Sequence, residues 1–208
     1  MADYPVSFDI HQPEKYDHAH VVIRILILIL MGALAGAIGW VPGLLYLAIP
    51  VLAAVLISQK GGSAYLAEAE NGITGWLRII LAFYSYLALL TDRLPNDKIS
   101  EFMQFEVKPG GTPTTGNALL RIILALPSAI VLLLLWIVGL VLALIAGVMI
   151  LFQETYPAGI YDFLRGLMRW EARLFAYLAS LVEEYPPFAL DTGAESAASG
   201  PSAPEQGA

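Results

Sequence analysis

From Ile25 to Gln59, and again from Ile122 to Gln153, the chain carries no charged residue. A helix rises about 1.5 Å per residue, so either run as one helix would be roughly 50 Å long. The hydrocarbon core of a bilayer is only about 30 Å thick. The pattern therefore predicts a transmembrane helical hairpin in each run, two short crossings joined by an uncharged tip. The first tip falls in Gly39-Trp40-Val41-Pro42-Gly43, where Gly and Pro break a helix and Trp suits the interface. The second falls at Trp136 and Gly139, without a proline. Pro50 and Pro127 lie inside the helices as kink positions. A shallow re-entrant hairpin is the competing geometry. All eleven Lys and Arg residues lie outside the two runs. With two double crossings they share one side, which the positive-inside rule makes cytoplasmic, along with both termini. Gly32 and Gly36, then Gly139, Ala143 and Gly147, allow close helix approach, within one chain or across a dimer face.

The segments flanking these runs also recur. Short alternating stretches, Val6–Ile10 and Met103–Val107, predict half-buried strands. Phe8 and Arg24 return as Phe105 and Arg121, and Trp40 returns as Trp136. After a short deletion, Tyr65, Gly75, Arg78, Tyr86 and Pro95 return as Tyr156, Gly166, Arg169, Tyr177 and Pro186. This order predicts a mainly α, polytopic membrane protein of two tandem repeats. Each unit is a short strand, a membrane hairpin and an amphipathic interfacial helix. The first occupies 1–98, with its hairpin at about 21–59 and its amphipathic helix at about 64–92. The second occupies 99–190, with the corresponding pieces at about 118–153 and 158–183. In the second helix Asp162, Arg165, Arg169, Arg173 and Ser180 form a polar stripe. In the first, Asn71, Thr74, Arg78 and Ser85 lie toward one side, and residues 71–91 are apolar enough to compete as a further crossing. The Gly-, Ala-, Ser- and Pro-rich residues 191–208 read as a disordered tail.

Composition agrees with the pattern. Hydrophobic residues make up 58% and charged ones 14%, too little polar surface for a soluble chain of 208 residues. A net charge of −7 argues against nucleic acid as a partner. The lack of cysteine excludes thiolate metal sites and thiol catalysis. Acidic residues Asp3, Asp9, Glu14 and Asp17 stand where a signal peptide would be basic.

The second half carries Tyr156-Pro157-Ala158-Gly159-Ile160-Tyr161-Asp162-Phe163, then Gly166, Arg169-Trp170, Arg173, Ala176-Tyr177 and Tyr185-Pro186-Pro187-Phe188-Ala189-Leu190. This string resembles the bacterial membrane family known as domain-of-unknown-function family 4389. The likeness covers about residues 118–190, with the first half a diverged copy. There Leu77-Arg78 lacks the following Trp, and Leu94-Pro95-Asn96 replaces the double proline. The resemblance implies a bacterial inner-membrane protein and no particular activity.

The residues offer few candidates for chemistry. Arg165, Arg169 and Arg173 with Trp170 suit anionic lipid headgroups, since guanidinium binds phosphate bidentately. The bland alternative is a solvated helix face paired with Asp162 and Glu171. Arg24 and Arg121 open the hairpins and suit headgroup contact by snorkelling. His11, His18 and His20 cluster before the first hairpin, but the spacing of the last two does not share a helix face, so no metal is expected. Tyr185-Pro186-Pro187-Phe188 is extended, and either docks a partner or folds back on its own domain. No ionisable group interrupts either run and no catalytic motif is present, so neither ion-coupled transport nor catalysis is expected. No cofactor is expected either. The reading that remains is a non-catalytic scaffold or accessory subunit organising membrane lipid, a protein partner or a homo-oligomer at the cytoplasmic face. An oligomeric pore or lipid carrier is the alternative, followed by a membrane enzyme acting on lipid.

Overall fold

The computed structural model describes residues 4–13, 15–35, 40–70, 72–95, 98–153 and 156–192. In chain order the elements are β1 (Val6–Ile10), α1 (His18–Ala35), α2 (Trp40–Lys60), α3 (Gly62–Ala67), α4 (Ile73–Leu87), β2 (Met103–Val107), α5 (Thr115–Leu124), α6 (Leu126–Gln153) and α7 (Ala158–Leu178). Both alternating stretches form strands, and they pair antiparallel with Phe8 opposite Phe105. Val6, Phe8, Ile10, Met103 and Phe105 are buried, as the period-two pattern requires.

The first uncharged run does divide into two helices, α1 and α2. Of the tip expected at Gly39–Gly43, Trp40 to Gly43 instead form the first turn of α2, where Pro42 needs no N–H partner, and residues 36–39, with Gly36 and Gly39, lie outside the described residues. Pro50 sits within α2, which continues past it. The second run differs from expectation. Instead of turning at Trp136 and Gly139, α6 runs unbroken from Leu126 to Gln153, about 42 Å at 1.5 Å per residue. The break falls earlier, between α5 and α6. Pro127, one residue into α6, has no N–H to continue the α5 ladder, so the helix restarts there. Glycine alone costs a helix only about 1 kcal/mol. Exposing backbone to an apolar surrounding costs several, so α6 continues through Gly139. With that tip gone, the second run no longer supports the orientation argument from charge.

Gly139 has a packing role instead. A Cβ there would lie 3.0 Å from Leu167 Cδ1 and 3.1 Å from Leu164 Cδ2, so its absence lets α7 pack close against α6. Contacts pair Ser128 with Tyr185, Trp136 with Glu171, and Gly139 with Leu164. Residue numbers rise on α6 as they fall beyond it, so α7 returns antiparallel along α6.

The two expected amphipathic interfacial helices are oriented the other way. Almost every side chain of α7 from Leu164 onward is buried, among them Arg169, Glu171 and Arg173. It is the core helix, flanked by α6, α4, α2, α5 and β1. The stretch expected at 64–92 divides into α3 and α4. Thr74 and Ser85, expected on the polar face of α4, are buried, while Trp76 is 67% exposed and Ile79 is also exposed. Thr74 and Ser85 of the first stripe, and Arg169, Arg173 and Ser180 of the second, thus face inward, Asp162 stays half-exposed, and Asn71 lies outside the described residues.

Among the described residues, two helices are long and apolar enough to cross a membrane, over Gly43–Lys60 and Leu126–Gln153. Neither resembles the core helix of a soluble protein. Along α6, Ile130, Leu133, Ile137, Val141, Leu144 and Val148 are all exposed.

Candidate functional site

The buried arginines build one arrangement twice. At the end of α4, Leu89 takes a left-handed φ of 65°, and at the end of α7 Ser180 takes 57°. Each sits in a tight helix stop: Leu90 N–H donates to Ser85 O, and Leu181 N–H donates to Ala176 O. Such a stop leaves carbonyls pointing outward, and an arginine donates to the backbone just at or beyond each one. Arg24 donates to Thr91 O and, at 2.8 Å, to Asp92, with its guanidinium 4.3 Å from the Tyr86 ring centre. Arg121 donates to Tyr177 O and to Val182 O, the latter at 2.6 Å, with its guanidinium 4.4 Å from the Tyr177 ring centre. Burial lowers the pKa of Arg121, and the neighbouring Tyr177 and Glu183 oppose that shift. The helices that carry the two arginines also begin alike. Asp17 Oδ1 accepts from Ala19 N–H, and Thr114 Oγ1 accepts from Asn117 N–H.

A second pair of arginines clamps the strands. Arg78 donates to Phe105 O at 3.2 Å, and Arg169 donates through Nε to Phe8 O at 2.9 Å. Arg169 is 1% exposed; it also donates to Asp191 O and lies 3.4 Å from Asp9. Arg173 pairs with Asp191, and Arg165 with Asp162 and Thr192 O. Asp191 and Thr192, the first residues of the expected tail, thus contact α7. Residues 193–208 of that tail lie outside the described residues.

This geometry corrects the headgroup reading of the arginines. Arg24, Arg121, Arg169 and Arg173 are buried, and their donors reach carbonyls and carboxylates of the chain itself. Trp170 is buried too, edge-on to Phe188 at 5.6 Å. Of the bland alternative, the pairing of Arg165 with half-exposed Asp162 is present, whereas Arg169, Arg173 and Glu171 are buried rather than solvated. The Tyr185–Phe188 segment largely folds back. Tyr185 packs 5.3 Å from Tyr177 and shares a 2.7 Å hydrogen bond with Ser128, and Pro186 is buried. Pro187 and Phe188 stay exposed.

Of the histidines, His20 Nδ1 lies 3.2 Å from the Tyr86 hydroxyl, and His18 lines an open cleft of about 430 Å³ with Lys15, Tyr16 and Asp17. Among the described residues no group of three His, Asp or Glu side chains could hold a metal.

One polar site was not expected from the sequence. Glu171, read there as solvated, is buried in α7. Its Oε1 accepts from the Tyr46 hydroxyl of α2 at 3.0 Å, and its Oε2 accepts from Trp136 Nε1 of α6 at 2.9 Å. Burial pushes its pKa up, against the opposing pull of the two donors. The available signal was the Trp136 indole, a donor stranded in an otherwise apolar run.

Residues 116–189 match the model of the family described as Domain of unknown function (DUF4389). The match takes in α5, α6, α7 and the Tyr185–Phe188 segment, so it includes the whole Arg121–Tyr177 corner. No curated protein and no solved structure matches this chain.

Proposed function

We propose that this chain is a multi-pass protein of the bacterial inner membrane with both termini cytoplasmic, built from two tandem copies of one unit. We infer that it acts as a non-catalytic scaffold or accessory subunit that organises lipid or a partner complex at the cytoplasmic face. One observation carries this reading: the polarity of the fold is inverted. Arg24, Arg121, Arg169, Arg173 and Glu171 face the interior, as do Thr74 and Ser85 of α4, while α1, α2, α5 and α6 turn apolar side chains outward. Val22, Leu26, Leu47, Val51, Ile123 and Leu144 are all exposed. So much apolar surface on a monomer is stable only against lipid or protein. The two-copy reading is supported by the twinned corners, the twinned strand clamps and the Phe8–Phe105 pairing. Exposed Pro187 and Phe188 offer a partner a small apolar foothold beside the buried Trp170.

Extraction into native lipid discs, followed by mass spectrometry of what co-purifies, tests the role. A stoichiometric protein, or a lipid class enriched over the bulk membrane, is the expected result. Discs of bulk composition without a partner would remove the scaffold reading. Orientation is tested by single cysteines labelled with an impermeant reagent in intact cells. Gly43 and Gly110 suit this, because a Cβ at either meets nothing within 4 Å. Gly111 does not, because a Cβ there would collide with Glu183. Labelling at Gly43 but not at Gly110 is expected. The reverse would overturn the orientation.

A further inference from the structure

We propose that Glu171 is a proton-binding site: its carboxyl holds a proton at neutral pH where α7 meets the two long apolar helices, α2 and α6. The proposal goes beyond the scaffold reading and does not depend on it.

The geometry carries the inference. Glu171 is 1% exposed, so an ionised carboxylate there has lost its water and needs compensating charge. No ion pair reaches it among the described residues. Around it, α2 presents Tyr46, α6 presents Trp136, and α4 presents Tyr84, whose hydroxyl lies buried without a hydrogen-bond partner. The other two elements against α7 bring no compensating charge. Asp9 of β1 engages Arg165 and Arg169, and Arg121 of α5 covers carbonyls at the far end of α7. Arg169 and Arg173 flank Glu171 in sequence, but two residues are about 200° of helix, so both turn toward β1 and Asp191 on the opposite side.

The hydrogen bonds have room for the proton. An indole N–H only donates, so Oε2 is held as an acceptor. A phenol both donates and accepts, so Oε1 can carry the proton and donate it to the Tyr46 oxygen. Deprotonation breaks that O–H bond, leaves the electron pair on the carboxylate and releases the proton to water. Tyr46 then turns to donate to the carboxylate, but no cation neutralises the charge. Release is therefore disfavoured until the pH is well above the ordinary carboxyl range.

Infrared difference spectroscopy tests this on the full chain in lipid nanodiscs, titrated with pH. The spectrum of the wild type minus that of Glu171→Gln should contain the carbonyl band of a neutral carboxylic acid at pH 7. Trp136→Phe, which removes a donor that favours the carboxylate, should move the midpoint up by on the order of one pH unit, about tenfold in proton affinity. If Glu171→Gln does not fold, the band is read in the wild type and its assignment comes from its shift in Trp136→Phe and Tyr46→Phe. A band that appears only below about pH 5, the ordinary carboxyl range, would overturn the proposal. So would a midpoint that neither variant moves.

Discussion

The guanidinium of Arg121 lies 4.4 Å from the centre of the Tyr177 ring and donates to that same residue's carbonyl oxygen. One side chain thereby covers both the face of the ring and the open end of the helix that carries it. Replacing Arg121 by Met should leave the Val182 carbonyl without its arginine donor and the Tyr177 carbonyl with only the Ser180 N–H, at a cost of roughly 1–3 kcal/mol. Lys should recover less than half, because a point charge cannot reach two carbonyls and stack on a ring together. Arg24→Met should behave alike at the Tyr86 corner. Unfolding in detergent checks both. Corner variants that cost nothing would mean that the arginines are bystanders.

Ser180 occupies a left-handed conformation that costs a non-glycine residue about 1–2 kcal/mol, and its hydroxyl is buried without a partner. Ser180→Gly removes both penalties, against a greater loss of backbone freedom on folding. The net expectation is stabilisation by about 1 kcal/mol, read as a raised unfolding midpoint. Leu89→Gly should not help, because Leu89 is itself a buried apolar side chain that packs toward Gly147.

Gly139 separates a helix interior from a hairpin tip. At an exposed tip, leucine would be tolerated. Packed against Leu164 and Leu167, Gly139→Leu should overfill the α6–α7 contact and cost about 1–3 kcal/mol. Gly139→Ala should be nearly neutral, since the helix gain of about 1 kcal/mol offsets a contact with flexible leucine ends. Thermal unfolding of the two variants side by side distinguishes them.

Glu171 ties pH to stability. Burial raises its pKa in the folded chain above the unfolded value. The stabilisation is therefore fully present at low pH and is lost as pH rises through the raised folded value, by up to about 1.4 kcal/mol per pH unit. Glu171→Gln should flatten that part of the profile. A wild-type profile that improves with rising pH across the same window would contradict the sign.

Several of these features could be read along the chain, and others could not. The strands followed from alternation alone. Arg24 and Arg121 stood out as equivalent positions, and so did Tyr86 and Tyr177. What their spacing does not encode is that each arginine folds onto its tyrosine, since contacts between residues so distant in sequence are set by the fold. Hydropathy located α6 but not its continuity. Trp and Gly near the middle of a run look like a tip, whereas here Trp136 holds a carboxylate and Gly139 admits a neighbouring helix. The polar stripes misled for a related reason. Periodicity gives the polar side of α7, but it does not tell whether that side meets water or, as here, Phe8 O and Asp191.

The outward apolar face of α6 is tested most directly with spin labels on the full chain in liposomes. The chain has no cysteine, so single labelling sites need no background changes. Labels at Ile137, Val141, Leu144 and Val148, all exposed, should be accessible to oxygen dissolved in lipid and shielded from a water-soluble nickel complex. Nickel accessibility equal to that of a label at exposed Gly110 would contradict a lipid-facing α6, and with it the membrane placement of the whole fold.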